Sequence, residues 1–600
     1  MNAKAGFRRG ATRAAMSRRR VFFAVVLSLT LLGCGLGPTR DYPAQGSAAV
    51  AESRATAPAI LTAGAVASPD EFGAHAAEEI LKADGNAVDA AVATAFALAV
   101  TLPTAGNIGG GGFMTLWMDG KPYFLDYREK APAAANSRMY LDAKGNVVRG
   151  LSLNGSLAAA VPGSVAGMWE VHKKFGRLSW AQVMAPSIGY AKNGFVAYAT
   201  ARPASDPRRG NFNNYFGGKM VKGELFKQPE LAATLQRISD YGEGEFYEGK
   251  TAALLVAQMG RTGGLITRND LKDYNAVWRE PVAIRWNNYT IYTAPPPSSG
   301  GIGIQQLLKM KQMLAGDFAK APLNSPQYIH LTAEMEKRVF ADRAQYLGDP
   351  DFVRVPMTEL LTDSYLQRRA AEVDRAVPTT LANVKPGLGV NSPSSATSNE
   401  KPQTTHFSVM DKWGNAVANT YTLNGGYGSG VVVEGAGFLL NNEMDDFAVK
   451  SGVPNQFGVV GGEANTVQAG KRPLSSMSPT IAVKDGKPVL VLGTPGGSRI
   501  FTSVYQVLVD ALDYQLPLNK AQEQGRFHHQ LLPDNVIFYE ASRIPDSVAD
   551  SLRSRGWKLQ DGLGGGGNIQ AIELIGDRPN PVSDPRNPNG LALAVPAVDQ

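Results

Sequence analysis

The stretch Ser398-Asn-Glu-Lys-Pro-Gln-Thr-Thr-His-Phe-Ser-Val-Met-Asp411 joins two kinds of chain. Upstream, Lys385-Pro-Gly-Leu-Gly-Val-Asn-Ser-Pro-Ser-Ser-Ala-Thr-Ser398 is too polar and too broken to pack, and reads as an exposed linker. Downstream, Phe407, Val409, Ala416, Ala418 and Tyr421 recur among polar residues around a Lys412-Trp-Gly-Asn415 turn, the pattern of buried strands. A linker running straight into a buried strand is a place where a cut leaves the strand beginning with a free amine. If the cut falls between Gln403 and Thr404, Thr404 carries both a hydroxyl nucleophile and its own α-amine as base. An α-amine ordinarily titrates at about 7.7–8.0, near working pH, so the pairing needs no histidine.

Composition bounds the rest. With 600 residues, 44% hydrophobic and 19% charged, the chain can bury a large core and has the balance of an ordinary soluble protein. The formal charge of +7 is local. Residues 1–33 hold seven basic side chains and no acid, which leaves 53 of each sign elsewhere and gives nucleic-acid binding no support. Val21–Gly33, an apolar run of 13 residues, is too short for a comfortable membrane span and has the proportions of a signal peptide. It ends at Cys34, the only cysteine. Leu-Leu-Gly-Cys34 resembles a bacterial lipoprotein signal, in which the cysteine is lipidated; a plain cleaved signal is the alternative. The expectation is export to a bacterial periplasm with a membrane anchor at Cys34. No internal disulfide is possible. Residues 35–58 are polar and punctuated by proline and glycine, suited to a tether.

Along the body, Ser68-Pro69-Asp70-Glu71 reads as a capping box that opens a helix running to Asp84-Gly85. A second, Ala-rich helix spans Asn86 to Val100 and is apolar on most faces, hence buried. Gly109–Gly112 lacks the lysine and spacing of a phosphate loop and marks a close backbone approach instead. Strand alternation follows as far as Arg128 and Glu129. Residues 158–197 and His330–Asp349 read as helices, and residues 200–290 as helices and loops without chemistry. Strand runs near 405–424, 431–440, 479–492 and 568–575 complete an α+β class. Gly562, Gly564 and Gly567 fit a dinucleotide fingerprint by spacing, but a strand follows where a helix is needed. The six histidines show no metal spacing.

Residues 404–446, TTHFSVMDKWGNAVANTYTLNGGYGSGVVVEGAGFLLNNEMDD, closely resemble the small subunit of γ-glutamyltranspeptidases, together with RPLSSMSPT at 472–480 and GTPGGSR at 493–499. These are N-terminal-nucleophile hydrolases. The likeness covers most of the chain from about residue 60 to the C-terminus, and is intermittent between residues 200 and 290. It implies a four-layer αββα sandwich built from two chains after self-cleavage: a signal at 1–33, a tether at 34–58, a large subunit at 59–403 and a small catalytic subunit at 404–600. It also implies γ-glutamyl hydrolysis and transfer, from glutathione and related compounds to water, amino acids or peptides, without cofactor or metal.

The same resemblance distributes roles. Thr404 is the nucleophile, Thr422 its supporting hydroxyl, and Gly496 and Gly497 the oxyanion hole. The substrate α-amine falls to Asn424, Glu443 and Asp446, and its α-carboxylate to Arg128, Ser475 and Ser476. This division suits the substrate, since a γ-glutamyl group presents an amine and a carboxylate that need acids at one end and donors at the other. Acids beside Asn441-Asn442 also suit calcium. The Gly-rich 452–462 stretch has the style of a lid, and Phe457 stands where some family members place a tyrosine. Three other readings compete: a cephalosporin-type acylase, a poly-γ-glutamate-processing enzyme and a non-enzymatic periplasmic binding lipoprotein.

Overall fold

The computed structural model describes residues 61–389, 402–562 and 567–597. The signal segment, Cys34, the tether and residues 390–401 of the linker lie outside the described residues.

Two sheets dominate a mixed α+β fold. In chain order the strands are β1 (Ala63–Ser68), β2 (Gly111–Met118), β3 (Lys121–Tyr127), β4 (Val277–Arg279), β5 (Val282–Trp286) and β6 (Tyr289–Thr293). They continue with β7 (Pro402–Met410), β8 (Ala416–Gly425), β9 (Thr480–Lys484), β10 (Lys487–Gly493), β11 (Gln570–Ile575), β12 (Arg578–Ser583) and β13 (Leu591–Pro596). The first sheet runs β13-β1-β7-β8-β2-β3-β4 and the second β12-β11-β10-β9-β6-β5. The hairpin β7–β8 therefore lies at the centre of the first sheet. Its connection is tightened by Asp411, whose carboxylate accepts from the Trp413 and Asn415 amides.

Side-chain parity explains how the layers meet. Met410, Ala416 and Ala418 point one way and pack with Ile481, Val491 and Ile572 of the second sheet. Phe407, Val409, Val417 and Tyr421 point the other way, into a core shared with helices α1 (Glu71–Lys82), α2 (Ala87–Thr101), α3 (Ser164–Phe175) and α4 (Trp180–Asn193). Behind the second sheet, α5 (Gly300–Met313), α6 (Pro326–Tyr346) and α7 (Ile500–Leu512) close a further core. Both faces of β8 are buried along its length. The polar members of the alternation, His406, Ser408, Thr420 and Thr422, consequently face the gap between sheets rather than water.

Several local expectations shift. The first helix is capped by Asp70, which accepts from the Gly73 amide at 2.7 Å, and not by Ser68. Ser68 is the last residue of β1, held extended by pairing with Leu591. The helix ends at Lys82, capped by Ala83. The second helix begins one residue after Asn86, which caps it in a box with Asp89. Residues 431–440 do not form a strand: Val432 and Leu439 meet in an isolated bridge around a turn. The 479–492 run is a hairpin, and 277–293 supplies three strands in a region whose sequence reads as helices and loops. The helix expected from His330 to Asp349 runs from Pro326 to Tyr346, four residues earlier at its start because Ser325 caps it.

The Gly-rich turn before β2 makes the predicted close approach. A Cβ on Gly110 would lie 2.0 Å from the Thr422 carbonyl oxygen, so only glycine lets this turn press on β8.

Candidate active site

Register places the two key threonines opposite each other. Thr404 on β7 pairs with Thr422 on β8 in the antiparallel ladder, and both project into the gap between sheets. The Thr404 hydroxyl donates to Thr422 Oγ1 at 3.3 Å, and the Thr422 hydroxyl donates to the Gln403 carbonyl oxygen at 2.8 Å. The neighbouring Thr405 has the opposite parity, and its hydroxyl is buried without a partner among the described residues. Alternation alone thus decides which of the two threonines reaches the site.

No histidine base stands ready here. His406 shares the face of Thr404, but its ring nitrogens engage Thr420 and Ser408 at 2.8 and 3.1 Å. Burial pulls its pKa down to about 3, so it is neutral at working pH.

Thr404 and Thr422 open onto a narrow cavity also lined by Arg128, Asn424, Glu443 and Asp446. Its wall further includes Phe457, Ser475, Ser476 and Gly497, while Gly496 sits immediately before Gly497. The two glycines take φ of 145° and 58°, in the turn that links β10 to α7. Every described residue that the resemblance assigns to the site is therefore drawn to one place. Cys34 lies outside the described residues.

One expectation changes in detail. The resemblance sets Arg128 at the end of the pocket opposite the acids, yet its guanidinium donates to Glu443 and, at 2.5 Å, to Asp446. A third carboxylate, Glu129, approaches at 3.7 Å. Burial disfavours the Arg128 charge, but Glu443 and Asp446 more than restore it and hold the guanidinium above its usual range. Burial likewise pushes Glu443 well up, and Glu129 up to about 7, with Arg128 opposing both shifts. Three acids around one guanidinium, Glu129 and Glu443 buried and Asp446 part-exposed, cannot all ionise cheaply, so the cluster is poised to accept a further positive charge such as an ammonium.

The surrounding loops fix these groups. Asn441 accepts from the Ala160 and Glu443 amides at 2.9 and 3.0 Å, which orients the turn Glu443–Asp446. Asp445 faces away, accepting from Ser152 at 2.6 Å. Among the described residues there is no cluster of three or more acids, histidines or cysteines able to hold a metal ion. Ser475 and Ser476 are braced from below by the 295–301 loop, where Ser299 N–H donates to the Ser475 carbonyl at 2.8 Å.

Hydrogen bonds tie the lid to the site and its surroundings. Asn455 donates to Asp446 at 3.2 Å, the Gln456 amide donates to Asp445 at 2.9 Å, and the Phe457 carbonyl accepts from Gln530 at 3.0 Å. Gln530 also accepts from Ser498 at 2.7 Å, tying the lid to the turn that holds Gly496 and Gly497. Sequence reasoning does not single out Asn455, Ser498, Gln530 or Arg343, the last a cavity-lining residue of α6 that donates to Ser299 Oγ at 3.1 Å and Ser476 Oγ at 3.4 Å. Ser498 and Asn455 adjoin residues that it does, whereas nothing local to Gln530 or Arg343 marks them, since they arrive through tertiary packing.

The family model for Gamma-glutamyltranspeptidase matches residues 73–594. A Glutathione hydrolase proenzyme of Pseudomonas aeruginosa is 56% identical over 557 residues, which is 92% of this chain and 98% of that protein. Among solved structures, the Gamma-glutamyltranspeptidase from Pseudomonas nitroreducens complexed with L-DON is 56% identical, with a TM-score of 0.53, covering 55% of this chain and 100% of the other. The cephalosporin acylase from Bacillus halodurans is 26% identical with a TM-score of 0.76, over 92% of this chain and 98% of the other.

Proposed function

The chain belongs to the γ-glutamyltranspeptidase family, and from that premise we propose that it is a self-cleaving glutathione hydrolase and γ-glutamyltransferase whose acyl-enzyme forms on Thr404. The carrying observation is the Thr422 hydroxyl, which bonds the Gln403 carbonyl while also receiving the Thr404 hydroxyl. In maturation, Thr404 Oγ attacks the Gln403 carbonyl carbon, and Thr422 polarises the carbonyl oxygen. The C–N bond to Thr404 breaks as its nitrogen takes a proton, and water opens the resulting ester. The products are a large chain ending at Gln403 and a small chain beginning at Thr404. Residues 59–403 and 404–600 then share one four-layer αββα sandwich of the N-terminal-nucleophile hydrolase type, a reading supported by helices packed outside two facing sheets.

In turnover the new α-amine takes the Thr404 Oγ proton as the oxygen attacks the γ-carbonyl of the donor. Backbone N–H groups of Gly496 and Gly497 receive the oxyanion. The leaving amine departs with a proton, and water or an acceptor amine releases the glutamyl group. The donor α-amine meets Glu443 and Asp446, with Asn424 beside them, and Arg128, Ser475 and Ser476 meet the α-carboxylate. The amine site is what favours γ-glutamyl donors over the acyl groups of an acylase. The test compares a γ-glutamyl anilide with a glutaryl-cephalosporin at equal enzyme. Preference for the anilide is expected; preference for the cephalosporin would make the chain an acylase.

Lid chemistry sets the balance between water and acceptor. Phe457 lines the cavity together with Asn424. A hydroxyl on that ring could bond across to Asn424, a neutral contact worth about 0.5–1.5 kcal/mol. Phe457→Tyr is expected to raise the transfer-to-hydrolysis ratio a few-fold at fixed acceptor, with little change in acylation. Product partitioning measures it, and an unchanged or lower ratio would remove this position from water gating.

Residues 1–33 serve export to the periplasm, and a lipid on Cys34 anchors the enzyme to a membrane. Cys34→Ser should move the protein from the membrane fraction to soluble or unprocessed forms. An unchanged distribution, with no lipid mass on the wild type, would rule the anchor out.

A further inference from the structure

The lid is gripped by a side chain that no step above employs. Gln530 is buried and joins the lid to the turn carrying Gly496 and Gly497. Its Nε2 donates to the Phe457 carbonyl at 3.0 Å, and its Oε1 accepts from Ser498 Oγ at 2.7 Å. Oε1 also meets His528 Nε2 at 3.0 Å.

The chemistry of these partners fixes the orientation of the amide. The Phe457 carbonyl can only accept, so an N–H of Gln530 must face it, and both partners of Oε1 must then donate. Burial, helped by the Arg499 charge, pulls the His528 pKa down to about 3, so the ring is neutral and its single proton sits on Nε2. His528 Nδ1 then accepts from Thr502 Oγ1 at 2.8 Å. A flipped amide would set two carbonyl oxygens against each other at the lid.

Both sides of this contact are pre-formed. In the lid, Asn455 Oδ1 accepts from the Phe457 and Val459 amides at 3.0 and 3.2 Å, which occupies the Phe457 N–H and leaves its carbonyl for Gln530. Gly458 takes φ of 73°, and a Cβ there would lie 3.0 Å from Gln530 Nε2, so glycine both permits the turn and clears the approach. On the other side, Leu531 holds a left-handed φ of 70°, a strained conformation for leucine, and its N–H donates to His529 Nδ1 at 3.0 Å. All of these residues follow Thr404 in the chain, so self-cleavage leaves the contact on one polypeptide.

We infer that Gln530 is a positioning residue for the second half of the reaction, latching the lid by its main chain to the oxyanion turn and so keeping water from the acyl-enzyme until an acceptor amine arrives. A grip on the Phe457 carbonyl works whatever ring stands at that position, and is independent of the ring hydroxyl considered above. The inference rests on the γ-glutamyltransferase reading of the site. Loss of one such neutral bond should raise the open-lid fraction about two- to tenfold.

The experiment compares Gln530→Glu and Gln530→Met with the full-length wild type, using a γ-glutamyl anilide as donor and glycylglycine as acceptor. Gln530→Glu keeps an oxygen for Ser498 and His528 but turns an oxygen toward the Phe457 carbonyl. Gln530→Met, similar in length and neutral, covers the case in which a buried carboxylate prevents maturation. Each is expected to lower the transfer-to-hydrolysis ratio about three- to tenfold, with donor KM nearly unchanged. Hydrogen–deuterium exchange at lid amides 455–459 should quicken relative to β8, and is read on whichever chain is obtained, cut or uncut. An unchanged or higher ratio, or a lower ratio without faster lid exchange, would reduce Gln530 to a structural brace and overturn the inference. A wild type with no activity on the γ-glutamyl anilide would instead defeat the underlying functional reading.

Discussion

Thr404→Ala is expected to remain one uncut chain with no detectable γ-glutamyl activity. The substitution removes the atom that attacks the Gln403 carbonyl and, with it, the atom that would carry the acyl group. Nothing nearby can replace it. Thr405 points its hydroxyl to the other face of the sheet, and Thr422 already donates to the scissile carbonyl. Thr404→Ser, which keeps the oxygen, should still be cut. Denaturing electrophoresis reads the outcome, and two normal chains from Thr404→Ala would sink the proposed maturation.

The second large effect concerns the acid cluster. Asp446→Ala deletes a charge-assisted contact to the donor amine, a class of contact worth about 1.5–3 kcal/mol. Loss of kcat/KM for γ-glutamyl donors should be on the order of tenfold or greater, with the cut before Thr404 intact. Arg128 keeps Glu443 as a buried partner in this variant, so the fold is not left with an unpaired charge. The reverse substitution is less clean. Arg128→Ala strands buried acids beside one another, and breaking a buried pair in this way costs about 3–5 kcal/mol, so impaired maturation is expected alongside lost activity. Kinetics unchanged by Asp446→Ala would argue against an amine site and in favour of an acylase.

Much of this arrangement is legible in the amino-acid sequence. Period-two alternation through 404–424 places Thr404 and Thr422 on one face, and a short Asp411–Asn415 connection sets them opposite each other. Family likeness then names the acids, serines and glycines that converge on the cavity. Features decided by distant partners stay hidden. Ser68 looks like a helix cap, but its conformation is set by a strand more than 500 residues away, so Asp70 takes the role. Residues 431–440 alternate like a strand yet curl into a turn beside the helices. The pairing of Arg128 with Glu443 and Asp446 depends on bringing β3 against the turn after residue 442. Arg343 looks like one more basic residue of a long helix until α6 packs it under Ser476.

Intact-mass measurement of the purified wild-type protein tests the central claim most directly. The account predicts two masses, one for a large chain ending at Gln403 and one for residues 404–600 beginning with a free Thr404 amine. Apart from removal of the export signal, a single uncut mass from an active preparation, or an internal cut at a bond other than Gln403–Thr404, would contradict it.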